Sequence, residues 1–126
     1  MRRLLLIDDE PGIADFIRRA AEDIGFEVRA TDRPTEFMAL YASFQPTTIV
    51  LDLAMPEVDG VELMRWLADH GCKVPIMIIS GIDQRVLDAA SRLGEARGLK
   101  IARTLTKPIR LTTLRHAFNN LDSNPQ

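Results

Sequence analysis

The chain has 126 residues, 46% of them hydrophobic and 27% charged, with a formal net charge of −2 at pH 7. A chain of this length buries a core of one domain without staples, and its single cysteine, Cys72, excludes an intrachain disulfide. Every apolar run falls short of the ~20 residues that span a bilayer, and acidic residues cut short the run in "MRRLLLIDDE" before a signal-peptide core forms, so the expected location is cytoplasmic, with no membrane partner.

The first predicted strand is Leu4 to Ile7, followed at once by Asp8, Asp9 and Glu10. Behind them Ile13, Phe16, Ile17, Ala20, Ala21 and Ile24 recur at helical spacing, with Pro11 placed for a first turn. "FEVRAT" from Phe26 alternates as an edge strand does, and Phe37, Leu40, Tyr41 and Phe44 mark a second helix. Thr48 to Leu51 is a buried-type strand that runs into Asp52; Val61, Met64 and Leu67 give a third helix, with Trp66 packing in the core or at the helix edge. Pro75 to Ile79 runs into Ser80, and Val86, Ala90 and Leu93 give a fourth helix. "KIARTL" from Lys100 is a second alternating strand, followed by Thr106 and Lys107, and Leu111, Leu114, Phe118 and Leu121 form the last helix. The polar "LDSNPQ" stops that helix near Leu121, so one domain is expected over 1–121, with 122–126 a tail or the start of a linker to a missing output domain.

Five strands alternating with five helices, the central strands apolar on both faces, define an α/β protein with a doubly wound parallel sheet. Such sheets bind ligands outside the carboxyl ends of their strands. Those ends carry Asp8, Asp9 and Glu10, then Asp52, then Ser80, then Thr106 and Lys107. Charge follows the same division: 8 basic and 14 acidic residues lie in 1–82, and 8 basic and 4 acidic in 83–126. An acidic site early and a basic face late follow from that split. Arg92, Arg97, Lys100, Arg103, Arg110 and Arg115 read as solvated surface or, on the functional reading, as a partner surface. With no recognition motif and a net acidic chain, direct nucleic-acid binding is not expected. His70 and His116 have no carboxylate or cysteine at ligand spacing and read as exposed helix residues.

Carboxylates converging on one sheet edge raise one another's pKa unless a cation sits among them. Hard oxygen donors suit Mg²⁺ or Mn²⁺, and Mg²⁺ keeps several waters and takes one or two protein carboxylates. An ionised Asp52 beside such a metal can attack phosphorus and form an aspartyl phosphate. Lys107 and the hydroxyl of Ser80 would share the charge of the phosphoryl oxygens. The strand holds the nucleophile rigidly while the loop is expected to expose it to donor and metal. Read blandly, Asp8, Asp9 and Glu10 are helix N-terminal charge beside Pro11.

"IDDE" at 7–10, "LDLAMPEVDG" at 51–60, "IISG" at 78–81 and "TKP" at 106–108 together resemble the receiver domains of two-component response regulators, over about Arg3 to Leu121. The resemblance implies the flavodoxin-like receiver fold, with strand order 2-1-3-4-5. It also implies that Asp52 is the phosphoacceptor, that Asp9 ligates the metal directly, that Asp8 works through water, and that the Ala54 carbonyl completes the metal shell. Ser80 and Lys107 become the groups on the phosphoryl oxygens, Lys107-Pro108 a candidate cis peptide, and Pro56 and Gly60 the turn after the acceptor. The implied function is a switch that takes a phosphoryl group from a histidine kinase or phosphotransfer protein. It then alters a surface of helix 4, strand 5 and helix 5 that binds an output domain, an effector or a second copy. Such a domain catalyses only its own phosphorylation and dephosphorylation and is not a turnover enzyme.

Two positions depart from the pattern. Thr104 stands where the family has a switching aromatic, and Ser80 and Lys107 lie 27 positions apart, more than is usual. The extra residues fall within "AASRLGEARGLKIA", which lengthens the fourth helix or its following loop. That stretch resembles receivers joined to EAL-type cyclic-di-GMP phosphodiesterase domains, although no EAL motif is present. Two other classes stay open: a phosphorylation-independent interaction module, and an aspartyl phosphatase. The latter needs a carboxylate two residues after the nucleophile, where Ala54 stands.

Overall fold

The computed structural model describes residues 2–55, 60–81 and 84–121. Its elements are β1 (Arg2–Ile7), α1 (Pro11–Asp23), β2 (Phe26–Thr31), α2 (Pro34–Phe44), β3 (Thr48–Asp52), α3 (Gly60–Asp69), β4 (Pro75–Ser80), α4 (Gln84–Ala96), β5 (Lys100–Thr106) and α5 (Leu111–Asn119). The strands form one sheet in the order β2-β1-β3-β4-β5, and every pairing is parallel. The two alternating strands are the edges, and the three uniformly apolar ones are inside.

That inner position explains the apolar runs. Side chains of a strand point alternately to opposite faces, and here helices cover both. Leu5, Ile7, Ile49, Leu51, Ile76 and Ile78 face one core with Phe37 of α2, Met64 of α3 and Leu87 of α4. Leu4, Leu6, Val50, Met77 and Ile79 face the other, with Ile17 of α1 and Phe118 of α5. A strand between two cores has no solvent side on which a polar residue would be tolerated.

Boundaries differ from the sequence reading where polar residues find tertiary partners. β1 starts at Arg2 because the Arg2 guanidinium donates to the carbonyls of Ile24 at 2.9 Å and Phe118 at 3.1 Å, and Arg3 donates to that of Gln45 at 2.8 Å. Asp52 and Ser80 are the last residues of β3 and β4 rather than loop residues. α5 stops at Asn119, and Leu121 is buried beyond its end. Between Ser80 and Lys107, α4 runs to Ala96, and Gly98, at φ +89, turns the chain into β5. Trp66 packs half-buried at the edge of α3, stacked on the exposed His70 and edge-on to Tyr41. Residues 122–126, expected to be a tail or linker, lie outside the described residues. Among the described residues no helix is long and apolar enough to cross a membrane.

Candidate functional site

The carboxyl edge of the sheet brings Asp8, Asp52, Ser80 and Lys107 together from four strands. Three backbone bonds prolong the parallel ladders past the strand ends: Asp8 N to Thr31 O at 3.1 Å, Leu53 N to Ile79 O at 2.9 Å and Lys107 N to Ser80 O at 2.9 Å. The side chains are therefore mounted on paired backbone, which fixes their positions far better than a free loop does. Asp8 and Asp52 are oriented in the same way. Oδ1 of Asp8 accepts from the amide of Glu10 at 2.9 Å, and Oδ1 of Asp52 from that of Ala54 at 2.9 Å. Each is an aspartate bonding its own backbone two residues on. In both, Oδ2 is left to face Lys107.

Lys107 crosses from the end of β5 to meet them, and the Lys107-Pro108 peptide after it is cis. Its Nζ donates to Asp52 Oδ2 at 3.1 Å and to Glu10 Oε1 at 2.7 Å, and lies 3.6 Å from Asp8 Oδ2. Gly60, at the start of α3, lies against Leu53: an added Cβ would fall 2.5 Å from Leu53 Cδ2 and 3.1 Å from the Leu53 Cα. Pro56, expected in the same turn, lies outside the described residues.

Burial corrects one expectation. Asp52 is 0% exposed, not presented to solvent by its loop. It ends the central strand, with the Ala54 amide on one oxygen and the Lys107 ammonium on the other. Asp8 is buried as well, and its Oδ2 has no hydrogen-bond donor among the described residues. Its pKa is pushed up from 3.8 to about 6, first by burial; the Glu10 amide and Lys107 oppose the rise and the Asp52 charge adds to it. Mutual repulsion of carboxylates, the cause expected from sequence, is thus a smaller contributor than desolvation. Burial alone would push the Lys107 ammonium down, but its bonds to Glu10 and Asp52, with the charges of Asp52 and Asp8, hold it above the ordinary lysine value.

The remaining predicted residues fall around this centre. Asp9 is exposed at the rim, and carboxylate oxygens of Asp8, Asp9, Glu10 and Asp52 lie within 4.8 Å of one another. Such hard oxygens, one of them buried and lacking a donor among the described residues, fit a divalent cation. Ser80 is fully buried at the end of β4, paired in register with Thr106. Thr104 is half-buried on β5, opposite Ile78 and one register step before the Ile79–Leu105 pair. Ala54 joins the site through its amide.

Glu10 was given no role by the sequence beyond strand-end or helix-end charge. As N-cap of α1 it makes no side-chain capping bond, and its carboxylate reaches Lys107 instead. A glutamate is a poor N-cap compared with Ser, Thr, Asp or Asn, and that was the available signal.

Comparison with known proteins places this geometry. The family model described as the response regulator receiver domain matches residues 4–119. Response regulator MprA of Mycolicibacterium vanbaalenii is 33% identical over 81 residues, 64% of this chain and 35% of MprA. The chain spans about a third of the length of the curated relatives it matches. Among solved structures, a response regulator from Colwellia psychrerythraea superposes with a TM-score of 0.83 at 33% identity, covering 98% of both chains. The Francisella response regulator 1452 receiver domain does so with a TM-score of 0.79 at 27% identity, covering 96% of both. A match that runs from the first strand to the last helix, over a sheet edge bearing these carboxylates and this lysine, shows that the chain belongs to the response regulator receiver domain family.

Proposed function

We propose that this domain is a phosphorylation-dependent switch in a two-component pathway, with Asp52 as its phosphoacceptor. The observation that carries the reading is the buried Asp52 carboxylate meeting the Lys107 ammonium at 3.1 Å, beside an Asp8 oxygen that has no donor among the described residues. A carboxylate oxygen of Asp52 attacks the phosphorus of a phosphohistidine on a histidine kinase or phosphotransfer protein. The O–P bond forms as the donor's P–N bond breaks, and the leaving imidazole takes a proton from solvent. The strand-end backbone keeps the nucleophile aligned, so little orientational freedom is lost at that moment. Asp8, Asp9, Asp52 and the Ala54 carbonyl are the groups that would hold Mg²⁺ or Mn²⁺. Bound there, the ion would neutralise charge on the transferring oxygens. Lys107 and the Ser80 hydroxyl would bind the phosphoryl oxygens once they are in place. Hydrolysis of the acyl phosphate resets the domain, which turns over no other substrate.

The output is a change in partner affinity on the face of α4, β5 and α5, where an output domain, an effector protein or a second copy docks. An EAL-type phosphodiesterase domain as that output rests on the residues around α4 and β5 alone. The test is intact-mass analysis after incubation with acetyl phosphate and Mg²⁺. One added phosphoryl group, lost in Asp52→Asn and with a chelator, is the expected result. A phosphorylation-independent interaction module is the second reading, favoured by Thr104 at the aromatic position and by the complete burial of Asp52. No mass gain in folded, Mg²⁺-loaded protein would select it.

A further inference from the structure

We propose that Glu10 is a built-in competitor for Lys107, which holds the ammonium in the unphosphorylated protein and opposes its transfer to the phosphoryl group; this rests on Asp52 being the acceptor. An ammonium has three donors, and here three carboxylates from two strand ends surround it. The shortest approach is that of Glu10 at 2.7 Å, against 3.1 Å to Asp52 and 3.6 Å to Asp8. The Glu10 side chain is 58% exposed and that of Lys107 only 11%, so the glutamate lies at the rim, over a lysine that lies over a buried Asp52.

This contact is not a by-product of helix capping. Glu10 supplies its backbone carbonyl to Ala14 N at 2.9 Å and its amide to Asp8 Oδ1 at 2.9 Å, which fixes its backbone, while its side chain makes no capping bond. A fixed backbone with a side chain free to swing outward suits a contact that must be broken and remade. When Asp52 becomes an acyl phosphate, its carboxyl group carries a dianionic phosphoryl group on the side from which Lys107 and Glu10 approach. The ammonium then has two rival anions, and the Glu10 carboxylate becomes a like-charged neighbour of the phosphoryl oxygens. Glu10 is a positioning residue: it acts on the phosphoryl group through Lys107 and does not touch the reacting atoms.

Removing its charge should therefore strengthen the hold of the site on a phosphoryl-like anion. The experiment titrates beryllium fluoride, a tetrahedral stand-in for a phosphoryl group on a carboxylate, into the protein at saturating Mg²⁺, so that any loss of metal affinity does not enter. Wild type, Glu10→Gln, Lys107→Ala and the double variant are compared, with folding of each checked by circular dichroism. The expected result is roughly two- to fivefold tighter binding in Glu10→Gln, in the range of partly exposed charge pairs, and no gain from the same change when Lys107 is absent. An equal gain in the Lys107→Ala background would overturn the competition in favour of a general field effect. Weaker binding in Glu10→Gln would overturn it too and make Glu10 a support that presents Lys107. Absence of binding in every form, wild type included, would remove the acceptor reading itself and this inference with it.

Discussion

At the scale of single residues, Asp8 is the costliest group in the site. It is buried, one of its oxygens lacks a donor among the described residues, and its carboxyl is pushed up to about 6. A carboxyl with a raised folded-state pKa favours folding fully below its unfolded value, near 3.8, and that contribution is lost as the pH rises through about 6. At pH 7 without metal, the ionised Asp8 is therefore a net burden. Asp8→Asn should stabilise the metal-free protein there by on the order of 1–3 kcal/mol, each pKa unit being worth about 1.4 kcal/mol. The gain should fade as the pH falls toward 4. The same variant should lose most of the stabilisation that Mg²⁺ gives the wild type, which arises because the ion binds the folded state alone. Urea titrations at pH 7 and pH 4.5, with and without Mg²⁺, check both halves; an Asp8→Asn protein less stable than wild type at pH 7 would show that the burial is better compensated than the geometry indicates.

At the scale of elements, the start of α3 packs closely on the residue that follows β3. Gly60 opens α3 directly against Leu53, and a methyl group there would meet both the Leu53 side chain and its Cα. The side chain can rotate away; the backbone cannot without moving the turn that carries the Ala54 amide. Gly60→Ala is expected to cost about 1–3 kcal/mol, as overpacking does, and to slow phosphorylation of Asp52 by displacing the donor to its Oδ1. Thermal unfolding and acetyl phosphate kinetics measure the two effects. Unchanged kinetics in a destabilised variant would confine Gly60 to packing. The elements themselves were legible in the sequence because their signals are local: apolar runs in β1, β3 and β4, alternation in β2 and β5, and helical stripes between. The placement of Asp8, Asp52, Ser80 and Lys107 followed from it, since strand ends of a parallel sheet share one edge. What could not be read was tertiary. The pairing of Lys107 with Asp52 was expected from the strand ends, but nothing local says that Glu10, 97 positions away, reaches the same lysine. The sequence assigned the two N-terminal arginines no partner for the same reason, their carbonyl acceptors lying 22 to 116 positions away.

At the scale of the whole molecule, the question is how an event at Asp52 reaches a surface. Ser80 ends β4, and α4 begins at Gln84, so a shift of the Ser80 hydroxyl toward a phosphoryl oxygen pulls on the start of α4. The other end of α4 is held. Gly94 lies so close to β5 that a Cβ there would come within 3.1 Å of Ile101 Cδ1, and Leu99, just beyond the helix, is buried. A helix pulled at one end and pinned at the other responds unevenly, with its first two turns changing more than its last. Those first turns carry Val86, a 47% exposed apolar side chain suited to a docking surface. With Asp52 as the acceptor, Thr104 offers no aromatic ring to swing inward, and displacement of α4 is the expected means of transmission. Hydrogen exchange on wild type with acetyl phosphate and Mg²⁺ should change over 84–90 and little over 94–101. In Ser80→Ala, Asp52 should still gain its phosphoryl group by mass, while the change over 84–90 falls by at least half. Equal changes along all of α4 would mean that the Gly94 contact does not hold, and an undiminished response in Ser80→Ala would mean that Lys107 alone carries the signal through its backbone bond to the Ser80 carbonyl.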